Sequence, residues 1–157
     1  MNSGRVNIVD FDPRFGDAFK ALNIEWLDAL FEVEPIDEKI LSNPQAIIAN
    51  AGAILYAVRD EQVLGCCALK HHGDGVYELT KMAVTAAARG LGIGRLLGEA
   101  TVRRFRDQGG RDLYLETHDS LIPAIRLYES LGFEHAERPF ESPYVRSNVY
   151  MEYRSSK

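Results

Sequence analysis

Three groups of residues in this chain have types and spacings that could do chemistry. The first is Arg89-Gly90-Leu91-Gly92-Ile93-Gly94, which follows an apolar strand-like run and precedes an amphipathic helical one. The first N–H groups of a helix have no intrahelical partner, and the macrodipole makes that end positive. Glycines let the backbone approach an anion closely and take positive φ. A strand, a glycine turn and a helix therefore form an anion cradle, here extending to Arg95. The second group is Glu78, Glu116 and His118, candidate proton acceptors. Strict alternation would put Glu78 on the strand face that carries Met82 and Val84. The third is Tyr128, which shares a helical stripe with Leu121 and Ile125. Spacing alone fits a packed aromatic there.

The turn fits neither common nucleotide cradle. The dinucleotide fingerprint needs a third glycine, and that position falls on Arg95 or Leu97. It also lacks the Lys-Ser/Thr end of a P-loop. The two cysteines, Cys66 and Cys67, are adjacent and would point to opposite faces of a strand. They suggest neither a disulfide framework nor a zinc site, and no metal is expected.

The elements that must position these residues can be read from periodicity and punctuation. A first strand is expected at 6–9. Asp12 caps a helix with Pro13 at its first position, and Phe15, Phe19, Leu22, Trp26 and Leu30 form its apolar stripe. Pro35 ends that pattern. Short helices are expected at 36–41 and 44–49, the second capped by Asn43. Strands at 54–58, 63–69 and 76–84, joined by tight turns, read as an antiparallel meander. A helix at 92–107 buries Ile93, Leu96, Leu97, Ala100 and Phe105. The strand at 113–117 is reached by a helical crossover and should lie parallel to the strand before it. A helix at 121–131, capped by Asp119 or Ser120 and closed by Gly132, leads to strands at 133–136 and 148–153. The expected fold class is α/β (α+β), a mixed, mostly antiparallel sheet with a central parallel pair, flanked by helices, in one domain over 1–157.

Together the Lys81-Met82-Ala83-Val84 strand end, the Arg89–Gly94 turn and the run Ala124-Ile125-Arg126-Leu127-Tyr128-Glu129-Ser130-Leu131-Gly132-Phe133 resemble the GNAT (Gcn5-related N-acetyltransferase) superfamily. The resemblance implies that the parallel pair splays apart and that acetyl-CoA is the donor, with CoA as product. It places the pyrophosphate on backbone N–H groups of Arg89, Gly90, Leu91, Gly92, Ile93, Gly94 and Arg95. It pairs the pantetheine arm with the backbone of Met82, Ala83 and Val84, beside Ala124, Ile125 and Tyr128. It implies direct attack of an amine on the thioester, Tyr128 as proton donor to the leaving sulfur, and Glu78 as the base. One position departs from the family pattern: Leu121 stands where many members carry an asparagine that contacts the cofactor.

The 157 residues carry 46% hydrophobic and 26% charged side chains with net charge -5, ordinary for a soluble protein and unfavourable for nucleic acid as main partner. There is no apolar run of ~18 residues and no charged-then-apolar leader, so the expectation is a cytoplasmic protein without a membrane partner. The acceptor is less legible. Glu25 and Trp26 sit in an acidic stretch that could attract a cationic amine, whereas Arg146 could clamp a carboxylate. Glu116 is a further candidate contact. The expected acceptor is a primary amine of a small molecule or amino acid. The alternatives are a protein N-terminus or lysine, or a CoA sensor without turnover. Edges of the final strands would permit a homodimer.

Overall fold

The structure, a computed structural model, describes residues 4–154. Its centre is one seven-stranded sheet in the order β1-β2-β3-β4-β5-β7-β6. The strands are β1 (Asn7–Asp10), β2 (Ala53–Arg59), β3 (Gln62–His71), β4 (Val76–Val84), β5 (Asp112–Thr117), β6 (Phe133–His135) and β7 (Val149–Tyr153). All neighbours pair antiparallel except β4 and β5. Among the described residues no helix is long and apolar enough to cross a membrane.

Among the described residues five α-helices pack around the sheet: α1 (Gly16–Leu30), α2 (Pro35–Leu41), α3 (Pro44–Ala49), α4 (Ile93–Asp107) and α5 (Ile122–Leu131). Asp12 accepts from the N–H of Arg14 at 2.9 Å and Pro13 opens a 3-10 turn that runs into α1. Pro35 opens α2 within a Glu34–Asp37 capping box, as a proline at the first helical position should. Asn43 precedes α3 without using its side chain. Asp119 and Ser120 do not cap α5. Leu121 holds that position, the Ser120 hydroxyl bonds His118, and the Asp119 N–H donates to Asn148.

Two apolar layers result. On one face α4 contributes Ile93, Leu97 and Phe105 against Tyr77, Leu79, Leu113 and Leu115. On the other, Phe19, Leu22 and Leu27 of α1 cover Ile54, Tyr56, Cys66 and Ala83. Leu96, expected inside, is 39% exposed. Gly98, Thr101 and Val102 take the inner face instead. Gly98 lets α5 come close, since a Cβ there would lie 2.6 Å from Cδ1 of Leu131.

The β4–β5 ladder is short. Val76, Tyr77 and Glu78 pair with Asp112, Leu113 and Tyr114, and pairing then stops although both strands continue. On its other side β4 carries a bulge. Cys66 pairs with Ala83 and Ala68 with Thr80, so β4 has one extra residue there. Lys81 lies in it with φ 56°. Asn23 of α1, buried at 2%, holds the bulge through its amide, donating to the carbonyl of Lys81 at 3.2 Å and of Phe19 at 3.0 Å. The extra residue reverses the alternation. Met82 and Val84 join the α4-side cluster with Tyr77 and Leu79, so Glu78 faces the opposite side from them, contrary to the expectation from strict alternation.

Asn23→Ala leaves the Lys81 carbonyl without that donor and removes a buried amide. The expected cost is about 1–3 kcal/mol, read as a lower urea midpoint at unchanged slope.

Candidate active site

The glycine turn is built as an anion site requires. Gly90 and Gly92 have φ of 85° and 78°, values that favour glycine. A Cβ at either would meet nothing within 4 Å, so only the backbone conformation demands glycine. Gly92 caps α4 with no side-chain bond, and the first turn has no acidic residue. The first amide that bonds back is that of Leu96, to the Gly92 carbonyl at 3.2 Å. The N–H groups of Ile93, Gly94 and Arg95 have no partner among the described residues. That fits a pyrophosphate. The Arg95 side chain is turned to Ser130 at 2.8 Å, so Arg95 offers its main chain. Gly94 packs against Met82 and Leu127, with a would-be Cβ 3.9 Å from the Met82 sulfur. The turn therefore sits over the end of β4 and α5.

Beyond Glu78 and Tyr114 the separating strands open a cleft. Its walls include Met82, Leu121, Ala124 and Tyr128, together with Trp26, Phe31, Glu116, His118, Tyr144 and Arg146. The β4 edge facing β5 is unpaired there. Leu121 presents only an apolar contact. Tyr128 is half-buried on α5, its ring edge-on to Phe133. Its hydroxyl has no hydrogen bond among the described residues. Burial, then nearby Cys67, pushes it well above the ordinary tyrosine range, so it keeps its proton at neutral pH. Ile125 lies beside these residues on α5, half-buried.

The other candidates divide. Glu78 lines the cleft, with its side chain 7% exposed and bonded to His72 at 2.9 Å. Glu116 lines it too, but its Oε1 accepts from Arg138 at 3.3 Å and Ser147 at 3.0 Å. His118 meets Ser120 through Nδ1, with the backbone N–H at 3.1 Å and the hydroxyl at 2.8 Å. Glu25 is outside the cleft, with its carboxylate 3.4 Å from the Ala86 N–H. Trp26 forms the wall with Phe31, their rings 5.7 Å apart.

Arg146 does not offer a free fork. Its two terminal nitrogens donate to both oxygens of Asp37 at 2.7 and 2.8 Å. Lys81 reaches the same carboxylate at 2.5 Å, and Glu34 accepts from Arg146 at 3.3 Å. Tyr144 is flanked by both cations, Lys81 at 4.7 Å and Arg146 at 4.8 Å from its ring centre. Asp37 is fully buried. Burial alone would raise its pKa, but the hydrogen bonds from Arg146 and Lys81 outweigh that and lower it to about 2. Burial lowers Lys81 despite the same partner. Sequence reading missed Asp37, Lys81, Tyr144 and His72. The Glu34-x-x-Asp37 capping box was the one available signal. Nothing local marks Lys81 for positive φ.

A splayed parallel pair, an open strand edge and a bare helix end define the fold and site of an acyltransferase. The profile of the acetyltransferase (GNAT) family matches residues 18–133, more than half of the chain. An uncharacterized N-acetyltransferase of Schizosaccharomyces pombe is 32% identical over 151 residues, covering 92% of this chain and 91% of that one. A GNAT-family acetyltransferase from Staphylococcus aureus has a similar structure, with TM-score 0.86, 19% identity and coverage of 95% and 98%. So does a phosphinothricin acetyltransferase from Sinorhizobium meliloti solved with acetyl-CoA, with TM-score 0.75, 18% identity and coverage of 94% and 86%. The chain belongs to the acetyltransferase (GNAT) family. It is an enzyme, an acetyltransferase by family.

The buried carboxylate makes stability acid-sensitive. Asp37 has a folded pKa of about 2 against 3.8 for the ordinary group. A depressed carboxylate contributes stability above its unfolded pKa and loses it as pH falls through the folded one. Denaturant titrations should show this contribution intact above pH 3.8 and gone below about 2. Asp37→Asn should remove that part of the pH dependence and lower stability at neutral pH.

Proposed function

We propose that the enzyme transfers acetyl from acetyl-CoA to a primary amine of a small molecule or amino acid, by direct attack within a ternary complex. The observation that carries this reading is the end of the β4–β5 ladder at Glu78 and Tyr114, which leaves an open main-chain edge inside a cleft. Main-chain N–H groups of Gly90, Leu91, Gly92, Ile93, Gly94 and Arg95 hold the pyrophosphate; that of Arg89, expected to join them, donates instead to the Ala86 carbonyl at 3.3 Å. The edge formed by Met82, Ala83 and Val84 takes the pantetheine arm as an added strand. Ala124, Ile125 and Tyr128 of α5 border it.

Bound acetyl-CoA supplies the thioester that the amine attacks. A backbone N–H in the stretch 82–84 donates to the developing oxyanion, and one such donor is worth about 2.7–4 kcal/mol. Tyr128 holds a proton that burial keeps in place, ready for the sulfur. Glu78 takes a proton from the amine, directly or through one water.

The acceptor end of the cleft favours a small molecule. Residues 144–146 close over it, because Glu34 accepts the N–H of Val145 at 2.9 Å and of Arg146 at 3.2 Å. Glu78 and Glu116 at its wall suit an amine, while Trp26 and Phe31 give it an apolar side. Arg146, spent on Asp37, shapes the wall and does not grip a carboxylate of the acceptor.

Thiol release from acetyl-CoA should be followed with putrescine, tyramine, glucosamine, amino acids and an alanine-terminated peptide. The expected result is turnover of a small amine above the peptide; the reverse order would make the chain a protein acetyltransferase. With the best amine, Tyr128→Phe should lower kcat about 10²–10⁴-fold at unchanged KM for acetyl-CoA. An unchanged kcat would remove Tyr128 as the acid.

A further inference from the structure

The carboxylate of Glu78 is held unevenly. Oε1 faces Nε2 of His72 at 2.9 Å and the Tyr114 hydroxyl at 3.4 Å. The Tyr114 hydroxyl also lies 3.1 Å from the same Nε2, and with a proton on Nε2 it donates to Oε1 rather than to the ring. Oε2 has no hydrogen bond among the described residues, yet it is not among the buried unpartnered atoms, of which only the Tyr56 hydroxyl is one. It is not sealed off, and its residue lines the cleft. The β4–β5 register explains the arrangement. Glu78 and Tyr114 are partners across the ladder, and the turn after β3 folds His72 back over both. Burial, then the carboxylates of Glu78 and Glu116, pushes Tyr114 up, so its hydroxyl stays a donor.

We propose that His72 is a positioning residue for the base, fixing Oε1 of Glu78 so that Oε2 is the oxygen that receives the amine proton. This rests on Glu78 acting as the base. A buried carboxylate needs donors for its lone pairs. His72 supplies one whether the ring is neutral with its proton on Nε2 or doubly protonated. With one oxygen fixed, the other has a defined direction, which a general base requires. The proton taken at Oε2 leaves by the open cleft. The remaining charged or titratable groups around Glu78 are accounted for. Lys70 of β3 is its cross-strand partner without an ion pair among the described residues. Lys81 is committed to Asp37, Glu116 is held by Arg138, and burial keeps Tyr144 protonated. His72 is the side chain that contacts the Glu78 carboxylate at 2.9 Å.

The test is the pH profile of kcat/KM, measured by thiol release from acetyl-CoA with the panel amine that is turned over fastest. Removing a donor to an ionised carboxylate raises its pKa, so the acid limb should move to higher pH. In His72→Phe it should shift upward by about one pH unit, with kcat/KM on that limb about tenfold lower and KM for acetyl-CoA unchanged. His72→Gln, which retains an N–H donor, should shift it less. In a Glu78→Gln background, His72→Phe should change nothing further. An acid limb unmoved in His72→Phe, or an equal loss with and without Glu78, would overturn the proposal. If Glu78→Gln alone keeps full kcat/KM and the same acid limb, the assignment of the base fails and takes this inference with it. A large loss in Glu78→Gln with a silent His72→Phe would remove only the role of His72.

Discussion

The structure depends on an interrupted ladder. Two parallel strands pair over three residues and then part, although each has residues left to pair. An unpaired strand edge inside a protein is unfavourable, because each N–H and C=O away from water needs a partner. The sheet accepts that cost through the bulge at Lys81, which gives β4 one residue too many for its β3 neighbour and changes its twist. Asn23 ties the bulge to α1, and Lys81 ties it to α2 through Asp37. The gap is therefore a built feature of the fold. In the proposed function an extended pantetheine arm completes it as a strand would.

The buried ion cluster serves the same end. A buried ion pair seldom adds much net stability, since desolvation offsets most of the attraction, but breaking one partner is costly. What the Lys81–Asp37–Arg146 arrangement supplies is geometry. It joins the β4 bulge, the start of α2 and residues 144–146, three segments far apart in sequence. With Tyr144 between the two cations, it builds the wall of the cleft that we propose takes the acceptor. That wall is shaped by side chains and the proposed cofactor side by main chain.

That division explains what could be read from the sequence. The cofactor side is local: glycines at 90 and 92 need positive φ, and the helix they open starts one residue on. The meander, the crossover and the parallel pair followed from turns and periodicity in the same way. Glu78 was placed on the wrong face because alternation carries no sign of a bulge whose left-handed residue is a lysine. The role of Arg146 as a structural partner was hidden because its partner Asp37 is 109 positions away. Leu96 looked internal by spacing, but the inner position goes to Gly98, where α5 comes too close for a side chain. Local conformation was legible; long-range pairing of charges was not.

The central claim is that the open edge of β4 and the bare end of α4 together receive the cofactor. Residue-resolved amide hydrogen exchange, with and without CoA, tests it most directly. The account predicts new protection at two separated stretches, residues 82–84 and 93–95, with little change at β1 and β6. Protection confined to other parts of the chain, or none at saturating CoA, would contradict it.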